Sequence, residues 1–200
     1  GQNFLYDKRD SRLSPTEGYS ISFGQDFAGV GGDVTFLKQT VGSTYYWPVY
    51  SDWIFGARIK GGYVAGLGDK VRITDKFFLG GTHLRGFETS GVGPRDAATG
   101  DALGGNTFFV SGAELTIPLN ITKDFDLDGA IFSDIGSNFN GNYSKDASDI
   151  LEDVTPRASM GVGFSYASPF GPIRVDYAVP VVKESFDRVE KLRFSFGGNF

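Results

Sequence analysis

Alternating apolar and polar positions predict that most of this chain folds into β-strands. Between 159 and 167, Met160, Val162, Phe164 and Tyr166 alternate with serine and glycine, and the segments 53–60 and 173–179 alternate similarly. Because successive side chains of a strand point to opposite faces, each segment has one apolar face and one face of small or charged residues. The strands predicted on this basis are 18–27, 33–47, 53–66, 106–117, 125–136, 157–168, 171–180 and 190–200, with a possible strand end at 2–7.

The connections between these strands are short in some places and long in others. The sequence Ser-Pro-Phe-Gly-Pro at 168–172 predicts a tight hairpin, because proline and glycine supply turn angles. The links at 137–156 and 181–189 are longer and hydrophilic. Together with strands of about ten residues, this asymmetry is typical of a transmembrane β-barrel. A soluble all-β sandwich or barrel also alternates, and it stays open as an alternative at this point.

The longest connection runs from about 67 to 105, far beyond the usual length of a link between strands. Its apolar residues, among them Phe77, Leu84 and Phe87, argue against a disordered segment. Glycines at 80, 81, 86, 91 and 93 permit backbone angles that other residues resist. Arg85 stands between them. We therefore expect a loop that folds back and docks Arg85 against another part of the protein.

Composition argues against several other classes of protein. The net charge of -5, without a basic stripe, makes nucleic acid an unfavourable partner. The chain contains no cysteine, which excludes disulfides and thiolate metal sites. With His83 as its one histidine, it also lacks the material for a histidine-based triad. We expect no enzymatic activity, no cofactor and no bound metal ion.

Several motifs occur in a fixed order along the chain. One is Phe-x-Asp-x-Gly at 132–136, and another is the 168–172 hairpin followed by Asp-Tyr-Ala-Val-Pro at 176–180. In this order the set resembles the BamA family of outer-membrane protein assembly factors, the bacterial surface antigen family, which includes TamA and the mitochondrial and chloroplast import barrels. The loop motif that carries most of the resemblance consists of Gly80, Gly81, Leu84, Arg85, Gly86, Phe87, Gly93, Pro94, Arg95 and Asp96.

The resemblance implies an all-β fold, an antiparallel transmembrane β-barrel in the bacterial outer membrane. About eight strands are present, as part of a sixteen-stranded parent barrel. Residues 1–200 would be the C-terminal part of the barrel domain, without the family's periplasmic repeats. The long loop would enter the lumen, where Arg85 would meet the inner-wall partners Glu114 and Asp134. The local pattern agrees, since Glu114 is in phase with Gly112 and opposite the apolar residues of its strand.

The final predicted strand resembles the C-terminal signal by which outer-membrane proteins are recognised. Its apolar face is supplied by Leu192, Phe194, Phe196 and Phe200. A free strand edge can template an incoming strand through main-chain hydrogen bonds. The resemblance therefore implies assembly and insertion of other β-barrel proteins at a lateral seam. The implied partners are unfolded outer-membrane clients, accessory lipoproteins of the assembly complex and the lipid bilayer.

Two questions stay open at the level of sequence. The first is function, since a passive pore or polypeptide secretion channel is an alternative to an assembly factor. The second is closure. A barrel of eight strands is just filled by its own side chains, which would leave no room for so long a loop. Either the chain is a piece of a larger barrel, or the loop lies outside a small closed one.

Overall fold

The fold consists of β-strands, and a computed structural model describes residues 1–29, 35–68, 70–119, 127–143, 149–168 and 171–196. A 3₁₀ turn spans Ile73–Asp75. Within these ranges, no helix is long and apolar enough to cross a membrane. The strands are β1 (Gln2–Asp7), β2 (Gly18–Ala28), β3 (Phe36–Tyr50), β4 (Trp53–Gly66), β5 (Gly86–Phe87), β6 (Arg95–Asp96), β7 (Thr107–Pro118), β8 (Leu127–Phe139), β9 (Ile150–Leu151), β10 (Arg157–Ser168), β11 (Gly171–Val182), β12 (Val189–Glu190) and β13 (Leu192–Phe196).

Nine of the described strands form one sheet, in the order β1-β2-β3-β4-β7-β8-β10-β11-β13. Each pairs with its neighbour in antiparallel fashion. The predicted all-β antiparallel fold is confirmed. The sheet contains the eight predicted strands and, as a ninth, the predicted strand end at 2–7, which pairs with β2 along its whole length. Within the described residues, β1 and β13 are the two edges of this sheet.

Three predicted strands run two or three residues further than expected, with β3 ending at Tyr50, β8 at Phe139 and β11 at Val182, and one predicted strand is interrupted. The segment 190–200 was expected to be continuous, but Glu190 belongs to β12 and the sheet strand β13 begins at Leu192. The physical reason is that Val189 and Glu190 pair with the tip of the long connection, at Phe87 and Gly86, instead of with β11. Residues 197–200, including Phe200, lie outside the described residues.

The pleat of the strands separates an inner face from an outer face. On β7, Glu114 and Val110 are buried, whereas Phe109, the residue before Val110, is exposed. On β10 and β11, Met160, Phe164 and Tyr177 are exposed in the same way. This exposed face of large apolar side chains is the surface that a bilayer would cover. The alternation predicted from the sequence therefore sets which side chains can meet inside.

Aromatic residues gather at the tight turn between β3 and β4. Tyr50 faces Trp53 across the turn, and Trp47 faces Phe55 two pairs further along the ladder. Tyr50, Trp47 and Trp53 are exposed. Tryptophan and tyrosine prefer the boundary between lipid and water, because one part of each ring system is apolar and the other carries a polar group. This end of the strands therefore marks one membrane interface.

The long connections lie at the opposite end of the sheet and pair with one another. Strand β5 in the longest connection pairs with β12, which precedes β13. Strand β6 in the same connection pairs with β9, which lies between β8 and β10. These two small ladders join three connections into one unit, which we call the cap.

The buried core lies between the cap and the inner face of the sheet. It combines apolar side chains of the long connection with apolar side chains of β4 and β7. The ring centroids of Phe77 and Phe108 are 4.6 Å apart, which joins the two groups directly. The core residues are Val64, Phe77, Leu79, Leu84, Phe87, Val92, Phe108 and Val110.

Candidate functional site

Arg85 lies at the centre of the inner face and contacts two strands of the sheet. Its Nε donates to Asp134 Oδ2 at 2.7 Å, and its Nη2 donates to Asp134 Oδ1 at 3.0 Å. The backbone N–H of Arg85 also donates to Asp134 Oδ2, at 3.2 Å. The remaining arm of the fork, Nη1, donates to Glu114 Oε2 at 2.6 Å. The structure thus brings together the three residues that the sequence pointed to, with a bidentate geometry on Asp134.

A second arginine, Arg58 on β4, supports the same carboxylate from the other side. Its Nη2 donates to Asp134 Oδ1 at 3.0 Å. The same guanidinium donates to the backbone carbonyls of Thr82 and His83, each at 3.2 Å. Arg58 therefore holds both the wall residue and the chain just before Arg85.

A third arginine, Arg174 on β11, supports Glu114. Both terminal nitrogens of Arg174 donate to the Glu114 carboxylate at 2.8 Å, and its Nε donates to Asp176 at 2.9 Å. On a flat sheet, β7 and β11 would be about 14 Å apart, since neighbouring strands are about 4.8 Å apart. Direct bonding between Arg174 and Glu114 therefore requires a strongly curved sheet, with the cluster on its concave side.

The cluster is balanced in charge and shielded from water. Its three arginines and three carboxylates give a net charge of 3 - 3 = 0. Arg85, Glu114 and Asp134 are at most 4% exposed at the side chain. A buried charge is tolerated only when partners compensate the lost hydration, and each of these carboxylates has two arginine partners. Arginine stays protonated, so the cluster fixes the loop by charge and geometry, without exchange of protons.

Apolar contacts fix Arg85 in addition to its ion pairs. The ring of Phe132 on β8 lies 3.4 Å from Arg85 Cζ, so the guanidinium stacks on an aromatic face. Leu84 and Phe87, on either side of the arginine motif, are completely buried in the core. The loop tip is thus held by three kinds of contact: ion pairs, stacking and apolar burial.

The second half of the loop motif lies apart from the arginine cluster. Arg95 is buried, but it donates to the carbonyls of Gly100 and Ser90 inside the same connection. Asp96 accepts hydrogen bonds from the backbone N–H groups of Ala98 and Thr99 at 2.9 and 2.8 Å. Arg95 and Asp96 therefore shape the cap, while Gly93 and Pro94 are buried beside them.

The base of the long connection has its own buried cation. Lys76 Nζ donates to the carbonyl of Gly141 at 2.7 Å and lies 3.6 Å from the centre of the Tyr143 ring. The Tyr143 hydroxyl donates to the carbonyl of Leu103 at 2.6 Å. Burial lowers the pKa of Lys76 to about 8 and raises the pKa of Tyr143 above its ordinary value.

The lowered pKa of Lys76 predicts a pH dependence of stability. The pKa of lysine in an unfolded chain is about 10.4. Between about pH 8 and pH 10 the unfolded chain therefore binds more protons than the folded one. We expect the free energy of unfolding to rise by about 1–2 kcal/mol across this window. Urea unfolding at several pH values measures it, with Lys76→Met as the control that should lose this part of the slope. Equal slopes in both proteins would contradict the assignment.

The predicted closing-strand residues lie on the opposite face from the cluster. Leu192, Phe194 and Phe196 point outward from β13 and are 50%, 62% and 75% exposed. Between them, Arg193 is an ion-pair partner of Glu190. The structure therefore separates two features: a charged cluster inside the sheet and an apolar edge strand outside.

Residue-level reasoning from the sequence missed three members of the cluster. Arg58, Arg174 and Asp176 lie on the charged faces of the predicted strands 53–60 and 173–179, and the sequence predicts no contact between them and the loop. Their parity along the strands already placed Arg174 and Asp176 on the same face. What the sequence lacked was the register, which places Arg58 and Asp134 on either side of Gly112, and the curvature of the sheet, which brings Arg174 to Glu114.

A cavity of about 350 Å³ lies beside the cluster, on the side of the tight turns. The three arginines line one part of it, and Tyr46, Ile54, Ser165 and Ser195 line another. Residues Leu13 to Thr16 of the β1–β2 connection also line it. The concave side of the sheet is therefore filled at the cap and hollow below the arginine cluster.

The profile of the Omp85 superfamily domain matches residues 1–200, the whole chain. The chain belongs to the Omp85 superfamily. This membership and the antiparallel strand architecture confirm the prediction of an integral outer-membrane β-barrel protein.

Individual relatives of this Omp85 domain agree with the family match. The chain is 33% identical over 200 residues to the outer membrane protein assembly factor BamA of Neorickettsia risticii, covering 99% of the chain and 27% of that relative. It is 30% identical over 210 residues to the sorting and assembly machinery component 50 homolog of Bos taurus, covering 99% of the chain and 44% of that protein. The chain thus spans less than half the length of these curated relatives.

A solved structure matches the fold. The crystal structure of BamA from Haemophilus ducreyi lacking POTRA domains 1–3 superposes with a TM-score of 0.84 and 23% sequence identity. The match covers 96% of this Omp85 domain and 40% of the solved chain. The open sheet described above therefore has the shape of part of a larger barrel.

Proposed function

We propose that this chain is the C-terminal part of a β-barrel that assembles and inserts β-barrel proteins into the outer membrane. The two relatives with assembly in their names, from a bacterium and from a mammal, support this role. The proposed partners are unfolded outer-membrane proteins, accessory lipoproteins and the surrounding bilayer. The proposed process is non-enzymatic and uses no cofactor, since the free energy comes from folding of the client.

The observation that carries the proposal is the position of β13 at the edge of the sheet. On one side β13 pairs with β11, from Tyr177↔Leu192 to Ile173↔Phe196. Within the described residues, its other side has no strand partner. An edge of this kind presents a row of main-chain N–H and C=O groups to an incoming strand. The apolar side chains at every second position of β13 would face lipid. They would thereby fix which residues of the incoming strand pair with β13.

The docked loop supports an assembly role over a passive pore. The long connection fills the cap end of the concave side with buried residues, and Arg85 fixes it to two strands. A channel for free diffusion needs an open lumen, whereas a templating edge needs a stable barrel behind it. We infer that the loop is a stabilising plug and that the lateral edge is the working surface.

A reconstitution assay tests the proposal. Vesicles containing the full-length protein should accelerate insertion of a urea-unfolded outer-membrane client over protein-free vesicles, measured by protection of the client from protease. The matched control is the same client with its final strand scrambled, which should lose most of the acceleration. Single-channel recording on the same vesicles should show little conductance. Steady large conductance without client insertion would instead favour the pore.

A further inference from the structure

The chain segment that leads into β13 is held by the cap. Val189 and Glu190 pair with Phe87 and Gly86, directly after the docked Arg85. Lys191 is the one residue between this ladder and β13, and its carbonyl accepts a hydrogen bond from the backbone N–H of Ala178 at 2.8 Å. The position of the loop tip is therefore transmitted to the start of the edge strand through a very short piece of backbone.

The residue before the ladder strengthens this connection. The backbone N–H of Glu88 donates to the carbonyl of Arg188, and the backbone N–H of Arg188 donates to the carbonyl of Gly91, both at 3.0 Å. The Arg188 side chain donates to the carbonyl of Gly100 at 2.7 Å. Residues 188–190 are thus bound along their length to the long connection.

A buried ion pair outside the arginine cluster fixes the same segment to β10. Arg157 Nε donates to Asp187 Oδ2 at 2.9 Å, and both side chains are 0% exposed. Arg157 also donates to the carbonyls of Asp153 and Thr155. Asp187 Oδ2 in turn accepts a hydrogen bond from the backbone N–H of Glu184 at 2.7 Å. The pair thus ties together the start of β10 and the connection that precedes β12.

We propose that Arg157 is a positioning residue for the edge strand. Through Asp187 it holds the connection 183–191 against the start of β10, and through the β5–β12 ladder this anchor keeps the first residues of β13 in register with β11. The inference rests on the proposed function only in the role it gives to β13. The anchor itself follows from the contacts of Arg157 and Asp187.

The physical reason is that β13 is held weakly by its own ladder, whereas the connection before it is held strongly by the Arg157–Asp187 pair. The described part of β13 has five residues and pairs on one side, so its own ladder is a weak constraint. The Arg157–Asp187 pair is fully buried, and loss of Arg157 leaves the buried Asp187 carboxylate without its ion-pair partner. The connection would then move toward water. The start of β13 would move with it, because β13 directly follows the connection in the chain.

Cysteine pairs can measure this, because the 200-residue chain has no cysteine of its own. Tyr177 and Leu192 face each other across β11 and β13 and are both about half exposed. Facing positions on antiparallel strands have the Cα separation that a disulfide needs. The reporter is Tyr177→Cys with Leu192→Cys in the full-length protein in membranes, and the rate of disulfide formation with a membrane-permeable oxidant is the readout.

We expect Arg157→Met to slow disulfide formation about tenfold, which corresponds to about 1.4 kcal/mol lost from strand pairing. Asp187→Asn should slow it as well, and Arg157→Lys should recover part of the rate. The matched control is Lys76→Met, which removes another buried cation, whose carbonyl partner Gly141 lies in the connection between β8 and β10 and not in the one that carries β12. An unchanged rate in Arg157→Met, or an equal loss in Lys76→Met, would overturn the proposal.

A second reporter separates local from global effects. Ala113 and Ser133 face each other on β7 and β8. Ala113→Cys with Ser133→Cys should close at the same rate with and without Arg157→Met, and an equal loss at both reporters would mean general unfolding and would overturn the positioning role. The crosslinking result does not depend on client insertion. A protein that shows the expected rates but inserts no client would contradict the proposed function and leave the anchor established.

Discussion

Replacing Arg85 with alanine is expected to release the long connection from the concave side and to lower the free energy of unfolding by about 3 kcal/mol. Arg85 bridges Asp134 and Glu114, which lie on different strands. Its loss removes these ion pairs together with the stacking on Phe132. The cost stays near the lower end of the range for a buried pair, because Arg58 and Arg174 still compensate the two carboxylates.

Urea unfolding in lipid vesicles measures this loss of stability, and the client-insertion assay should show a matching loss of activity. Arg85→Lys should be intermediate, since lysine keeps the charge but cannot supply a planar fork to Asp134. Arg72→Ala is the control, because Arg72 belongs to the same connection and is exposed. Normal stability and normal insertion in Arg85→Ala would show that the cluster does not hold the loop.

Gly80→Ala is the second substitution for which we expect a large effect, a destabilisation of about 3 kcal/mol or more. Gly80 has φ +137°, a conformation that residues with a Cβ atom rarely adopt. A Cβ at this position would also overlap with the backbone carbonyl oxygen of Glu88, which cannot move as a flexible side chain could. The turn that brings Arg85 to the wall would have to open.

Gly68→Ala supplies the control for this substitution. Gly68 also has a positive φ, +111°, but a Cβ there would have no atom within 4 Å among the described residues. It should therefore cost only about 1 kcal/mol, the backbone part of the penalty. Urea unfolding of the two variants side by side isolates the effect of the overlap. Equal midpoints would mean that the turn at Gly80 adapts without strain.

The strand architecture could be predicted because period-two alternation is a local property. The exposed Met160, Phe164 and Tyr177 and the buried Glu114 and Asp134 all have the orientation that their strand parity gives. The family resemblance added which inner-wall carboxylates would face Arg85. Neither source supplied Arg58 or Arg174, since their contacts depend on the curvature of the sheet, and curvature leaves no pattern in a single strand.

The ladders of the cap could not be predicted for a different reason. Strands β5, β6, β9 and β12 have two residues each, so they carry no alternation that a sequence pattern could reveal. Their pairing depends on where the loop lies after Arg85 has docked. The lead-in to β13 was therefore merged with the strand itself, although Glu190 and Leu192 belong to different sheets.

The strand order of the main sheet has a consequence for how the protein itself folds. Each strand lies beside its predecessor in the chain, so growth from the first strand to the last needs no insertion between strands already paired. A sheet that grows in this way always has unpaired main-chain N–H and C=O groups on its newest strand. Among the described strands the last to be added is β13. The protein itself would thus enter the membrane as successive hairpins pair in chain order. The edge strand β13 would offer the same strand-by-strand extension to other chains.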